Sequence, residues 1–223
     1  MRTGTEHFTL AEKCKMEGKL NKAVKEYKAT LKYFPKSIPA LMNLANIHYM
    51  LGYINDSIKE YKKVLKLKPN FSYALYRLGI AYYRSAQFKK AIKIFRKIVM
   101  IDSELYMAYN WLGLSYYHIG REEESIKTYE KFLNETPEPT IVNYYQAIAH
   151  KSKGNYDEAI KRLTELIEAH PEHVSAHYHL GLAYLGKHEP FKALKFFKKV
   201  IKLNPKHKGA REKIEYLTDI PSI

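Results

Sequence analysis

The chain has 223 residues, 46% of them hydrophobic, and a formal net charge of +15. That hydrophobic share excludes a disordered chain, and the single cysteine, Cys14, excludes an internal disulfide or a cysteine-based zinc site. The opening MRTGTEHFTLAEKCK has no apolar signal core, and the longest uncharged run contains Pro39, Asn43, Asn46 and His48, a poor membrane span, so a reducing, cytoplasmic setting is expected.

The first predicted unit covers residues 4–37, with Leu10-Ala11 in its first half, Ala23 in its second and Pro35 near its end. The second, 38–71, shows the layout most clearly. Its first helix (A) is predicted over about Ile38 to Leu51, with Leu41, Leu44, Ala45 and His48 at helical spacing. Gly52 breaks it, and Asn55 or Asp56 is placed to help start a second helix (B) carrying Ile58, Tyr61, Val64 and Leu65. Pro69 prevents continuation. The third unit, 72–105, repeats this with Leu78-Gly79 and Ala91; Ser103 stands where the series expects proline. The fourth, 106–139, has Leu112-Gly113, Ser125 and Pro137. The fifth, 140–173, has Gln146-Ala147, Ala159 and Pro171, and the sixth, 174–207, has Leu180-Gly181, Ala193 and Pro205. Equivalent residues recur every 34 positions without insertion. About residues 206–218 form a capping helix, with Ala210, Ile214 and Leu217 on one face and Arg211, Glu212, Lys213 and Glu215 on the other.

The small residue at the eighth position of each unit lets helices A and B approach. A second small residue, Ala23, Ser57, Ala91, Ser125, Ala159 or Ala193, is expected to meet it from helix B. One helix pair cannot hide its apolar surface alone, and stacking on the next pair hides it.

Leu75, Leu78, Gly79, Tyr82, Ala91 and Phe95 in the third unit, and His177, Leu180, Gly181, Tyr184, Ala193, Phe197 and Pro205 in the sixth, resemble the tetratricopeptide repeat pattern. The resemblance covers about residues 4–207 and departs at Gln146 and Ser103. It implies an all-α fold: a right-handed superhelical solenoid of antiparallel helix pairs, with residues 1–223 forming one array. The family's tryptophan position holds His7, Leu41, Leu75, Tyr109, Asn143 and His177, so Trp111, the only tryptophan, is not the family's. It is rotated by about 200° from Tyr109 on its helix.

In proteins of this family the second, fifth, sixth, ninth, twelfth and thirteenth positions of helix A line a concave groove. The resemblance therefore assigns to it Met42, Asn43, Asn46, Tyr49 and Met50; Tyr73, Tyr76, Arg77, Ile80, Tyr83 and Arg84; and Met107, Asn110, Trp111, Leu114 and Tyr117. From the last two units it assigns Ile141, Tyr144, Tyr145, Ile148 and Lys151, then Ser175, Tyr178, His179, Leu182 and Leu185. Tyr, Trp, Met, Asn and Arg together have the composition of a binding surface for an extended peptide or an amphipathic helix. Packing alone would explain Ile80, Leu114 and Ile148 equally well. A familiar family use, gripping acidic carboxyl-terminal tails, is not expected. The required places hold Phe8, Glu12, Asn43, Tyr73 and Arg77, of which only Asn43 and Arg77 match, and Glu12 would repel a carboxylate.

No phosphate loop, dinucleotide fingerprint, nucleophile elbow or HExxH is present, so no enzymatic activity, cofactor or small-molecule substrate is expected. His170, His173, His177 and His179 gather around one turn, but His177 holds a packing position and His179 a groove position, so no metal site is expected. Glu122-Glu123-Glu124 is placed to favour the start of a helix. By unit the net charge runs +4, +3, +5, −3, −1 and +6, basic ends around an acidic middle. That layout is compatible with self-association, and the basic charge with an anionic membrane surface or nucleic acid. The leading expectation is a non-catalytic protein–protein interaction scaffold that organises a larger assembly, as do relatives coating magnetosome membranes. Tyr73, Tyr76, Arg77, Tyr83 and Arg84 make single-stranded RNA the alternative; the recognition arm of an enzyme complex is the third.

Overall fold

The computed structural model describes residues 2–135 and 140–218, without the side chains of 133–135 and 140–142. Pro137 and the Ile141 side chain, both used above, lie outside the described residues. Among the described residues there are thirteen helices and no strand. They are α1 (Gly4–Met16), α2 (Leu20–Tyr33), α3 (Ile38–Met50), α4 (Ile54–Leu67), α5 (Ser72–Arg84), α6 (Phe88–Ile101) and α7 (Met107–Tyr117). Then follow α8 (Glu122–Glu135), α9 (Thr140–Ser152), α10 (Tyr156–Ala169), α11 (Val174–Gly186), α12 (Pro190–Leu203) and α13 (Lys208–Thr218). The chain is an all-α helical repeat solenoid.

The packing falls into two compact units, Met1–Ser115 and Tyr116–Ile223. In the first, α1 packs on α2, α3 on α4 and α5 on α6, and α2 also meets α3 and α4 meets α5. In the second, α8 meets α9, α9 meets α10, α10 meets α11, and α12 lies between α11 and α13. Ala210 of α13 is fully buried, whereas Arg211, Glu212 and Glu215 are exposed, the division expected of a capping helix.

The A-to-B turns follow one backbone rule. Gly18, Gly52, Gly120 and Gly154 take φ between 71 and 86°, and Ala86 and His188 take 55 and 59° at the same place. The next residue's N–H then bonds back to helix A: Lys19 to the Cys14 carbonyl, Tyr53 to His48, Gln87 to Tyr82, Arg121 to Tyr116, Asn155 to His150 and Glu189 to Tyr184. This is the Schellman arrangement, for which glycine is favoured because it has no Cβ to clash. It replaces the expected capping by Asn55 or Asp56. Helix α4 begins at Ile54, its cap residue Tyr53 makes no side-chain cap, and Asp56 pairs with Lys59 at 2.9 Å. Glu122–Glu124 do open α8, with Glu124 paired to Arg121 and Glu123 to Lys153.

In the third and sixth units the small eighth residue is packed against a ring. A Cβ on Gly79 would lie 2.6 Å from the Phe95 ring, and one on Gly181 would lie 2.7 Å from Phe197. Helix B's small residues, Ala23, Ser57, Ala91, Ser125, Ala159 and Ala193, are all fully buried. The atoms nearest the two glycines nevertheless belong to the residue one helical turn beyond, a bulky side chain in every unit: Tyr27, Tyr61, Phe95, Tyr129, Leu163 and Phe197, all wholly buried.

Candidate functional site

In the first unit the A helices present a row of polar and aromatic side chains that are tied to one another. At its start, Glu12 accepts hydrogen bonds from Lys15 at 2.6 Å, from Asn43 Nδ2 at 2.7 Å and from the Tyr27 hydroxyl. Burial pushes the Glu12 carboxyl up, but the hydrogen bonds from Lys15 and Tyr27 overcome it and hold the group below its ordinary value. Burial and Glu12 together push the Tyr27 phenol up.

One repeat further, the same three positions form a second cluster. The Tyr61 hydroxyl donates to Asn46 Oδ1 at 2.6 Å, and Arg77 Nε donates to Asn46 Oδ1 at 3.2 Å and to the Tyr61 oxygen at 3.3 Å. Asn46 thus accepts from its own repeat and from the next. The Arg77 guanidinium lies 4.8 Å from the Tyr49 ring centre and that of Arg84 lies 5.1 Å from it, so one ring carries two cations.

At the third repeat the row becomes apolar. Trp111 is partly exposed; its indole N–H donates to the Tyr76 hydroxyl at 3.1 Å, and its ring meets the Tyr83 ring edge-on at 4.9 Å. Tyr83 in turn meets Phe88, and Tyr76 meets Phe95. Beside them, Phe71, Tyr73, Tyr76 and Leu105, with Lys68 and Asp102 at the rim, line a cleft of about 440 Å³. Tyr73 is 49% exposed and Met107 42%.

Four predicted groove residues do not reach the surface. Asn110 is 3% exposed and Leu114 8%, because the sequence between Ala108 and Tyr116 is buried except at Trp111. Met42 and Ile80 are buried as well. These four pack rather than present. Asn43, Asn46, Tyr49, Tyr76, Arg77, Tyr83 and Trp111 are partly exposed, and Arg84 is exposed.

In the second unit Tyr117, Tyr144, Tyr145 and Tyr178 are all partly exposed. Tyr145 stacks on Tyr129 with centres 6.3 Å apart. Tyr144 touches Tyr145, His173 and His179, and Tyr178 touches His179, Phe197 and His207. Lys151 Nζ lies 3.4 Å from His179 Nδ1. Burial, then the charges of Lys151, His173 and His207, push the His179 imidazole down to about 4. His173 and His177 are used on backbone: His173 Nδ1 accepts from the Ala176 N–H, and His177 Nε2 lies 2.8 Å from the Pro171 carbonyl.

The sign of the His179 effect is definite. Its folded value lies below the ordinary imidazole value of 6.5, so in that window the unfolded chain takes up a proton that the folded one refuses. Stability is therefore expected to be level above pH ~6.5 and to fall as pH drops toward ~4. Denaturant midpoints measured across that range should decline less steeply for His179→Gln. Identical slopes would contradict the assignment.

The lysines of the B helices face out as expected: Lys59, Lys62, Lys63 and Lys66 are exposed, as are Lys195, Lys198 and Lys202, with Lys199 partly covered. No helix among the described residues is long and apolar enough to cross a membrane. Sequence reasoning missed Tyr27 and Tyr61, whose hydroxyls organise the first two repeats. Their signal was available, since both fall at the same place in the period.

Models of the tetratricopeptide repeat match residues 73–99, 108–139 and 144–208, and a TPR repeat model matches 51–85. No curated protein sequence matches the chain. Among solved structures, MamA is 27% identical, with 78% of this chain and 96% of that chain covered and a TM-score of 0.69. YrrB, described as a TPR protein with an unusual peptide-binding site, is 21% identical over 83% of this chain and 96% of its own, with a TM-score of 0.68. PilF of Pseudomonas aeruginosa is 15% identical over 94% and 95%, with a TM-score of 0.72. At the identities of the last two, the likeness is one of fold.

Proposed function

Because the chain belongs to the tetratricopeptide repeat family, we propose that it is a non-catalytic scaffold that holds a peptide or amphipathic helix of a partner protein against its A helices. The observation that carries this reading is the set of partly exposed aromatics within each unit: Trp111 with Tyr76 and Tyr83 in the first, and, separately, Tyr144 and Tyr178 in the second. Aromatic rings fixed by hydrogen bonds and edge contacts offer large contact area at little entropic cost, which is how binding hot spots are built. The peptide-binding site described for YrrB is consistent with such a use of the fold.

RNA is the weaker reading. Arg77 already donates to Asn46 and Tyr61 and lies over Tyr49, so it is not held in reserve for a phosphate. Aromatic peptide binding also changes little with salt, whereas RNA binding falls steeply.

Trp111 is the reporter. Its emission maximum is expected to shift on addition of a captured partner peptide, and Tyr76→Phe, which removes the indole's acceptor, is expected to alter the free spectrum. A spectrum unchanged at saturating peptide would place the binding surface elsewhere.

A further inference from the structure

The inner face of the second unit carries a row of alternating rings: His173, Tyr144, His179, Tyr178 and His207, with successive centres 5.3, 5.6, 5.6 and 4.7 Å apart. Lys151 stands on the middle member, its ammonium 3.4 Å from His179 Nδ1. The hydrogen bonding sets the chemistry of this row. His173 Nδ1 accepts the Ala176 N–H and His207 Nδ1 accepts the Ala210 N–H, both at 3.1 Å. An ammonium only donates, so His179 Nδ1 also accepts. All three imidazoles are thereby held as the tautomer whose Nε2–H remains to donate.

The result is a surface of donors without a countercharge. From α9 it presents Lys151 and the Tyr144 phenol; from α11, His179 and the Tyr178 phenol; His173 and His207 face it from the turns before α11 and α13. Among the described residues no carboxylate pairs with Lys151, and burial alone holds its ammonium below the ordinary value. Four other cations of this unit do pair with carboxylates: Lys153 with Glu123, Arg162 with Glu158, Lys187 with Asp157 and Lys192 with Glu189. A half-buried ammonium whose acceptor is a neutral imidazole, with no countercharge, is costly to the fold. The Tyr144 and Tyr178 rings flank His179 on both sides.

We propose that Lys151 and its row of rings recognise an aspartate or glutamate side chain of the partner polypeptide, making this unit a reader of acidic–apolar segments. The inference rests on the groove reading above and adds the chemistry of the occupant. The carboxylate supplies the missing countercharge, and the rings pack against the residues beside it.

The test uses the full chain and three end-blocked peptides that share one Leu/Phe frame and carry Glu, Gln or Lys at the intervening positions, followed by fluorescence anisotropy near neutral pH. The Glu peptide is expected to bind about tenfold or more tighter than the Gln peptide, the size of one charge-assisted hydrogen bond to a desolvated amine. Lys151→Gln is expected to remove that difference between the Glu and Gln peptides, with Lys151→Arg restoring part of it. Equal affinity for Glu and Gln peptides, or a preference that survives Lys151→Gln, overturns the proposal while leaving the groove reading intact. Failure of all three peptides to bind defeats both. In a second measurement, isotope-labelled dimethyl groups on the lysines report the titration of Lys151, which should move up on adding the Glu peptide. An equal rise with inorganic phosphate would assign the site to a free anion and overturn the proposal.

Discussion

Phe95→Ala is expected to lower the unfolding free energy of the first unit by about 3–5 kcal/mol, the usual cost of emptying a fully buried aromatic site. Phe95 is completely buried, and its ring occupies the space where a Gly79 side chain would be. The reverse change, Gly79→Ala, is expected to cost about 1–3 kcal/mol, because a Cβ 2.6 Å from that ring forces the helices apart or the ring off its rotamer. The two should not add. In a Phe95→Leu background, where the ring edge is gone, Gly79→Ala is expected to be nearly neutral, giving a coupling of about 1–2 kcal/mol in a double-mutant cycle. Urea titrations followed through Trp111, which lies in the same unit, measure all three. Simple additivity would show that α5 and α6 do not meet through this pair.

Asn46→Leu carries the second large effect. Asn46 Oδ1 accepts from both Tyr61 and Arg77, so its loss leaves a wholly buried phenol and a half-buried guanidinium short of an acceptor. Each such group costs about 1–3 kcal/mol when it is left unsatisfied. The guanidinium still lies over Tyr49 and reaches water, so most of the loss should come from Tyr61. Accordingly Tyr61→Phe in the Asn46→Leu background is expected to recover about 1 kcal/mol, since it removes the stranded hydroxyl. The same substitution in the natural chain should destabilise. Melting curves for the four proteins check this, and a destabilising Tyr61→Phe in both backgrounds would refute it.

The two clusters also answer why Asn43, Asn46 and Arg77 stand where a groove was predicted. Their side chains hold consecutive repeats together: Asn43 donates back to Glu12, and Arg77 donates back to Asn46 and Tyr61. A polar residue on an inner face needs a partner whether or not a ligand comes. Here Asn43 and Arg77 find theirs in the preceding repeat, and Asn46 finds its donors in its own repeat and the next, because the 34-residue period places the groups side by side. Glu12, which the sequence marks as hostile to an acidic tail, is already answered by Lys15, Asn43 and Tyr27. Trp111 is of another kind. Its N–H is satisfied by Tyr76, yet the ring stays partly exposed in a stretch that is otherwise buried from Ala108 to Tyr116.

The sequence by itself determined the repeat. Period, small residues and helix-breaking turns are local or strictly spaced signals, and they imply thirteen helices and their pairing without any knowledge of distance. Even there its account of the turns was incomplete. Asn55 and Asp56 look like caps because of their type, whereas the backbone closes the turn through Tyr53 and the left-handed Gly52. Only the tertiary structure decided which inner-face side chains are spent and which remain on offer. Asn110 and Trp111 are adjacent in the chain, and one is buried while the other is not. Lys151 has no carboxylate among its described partners, although Asp157 and Glu158 open the next helix. Pairing and exposure depend on residues about 31 positions away, brought close by stacking, and a pattern read along one chain carries the spacing but not the angle at which side chains meet.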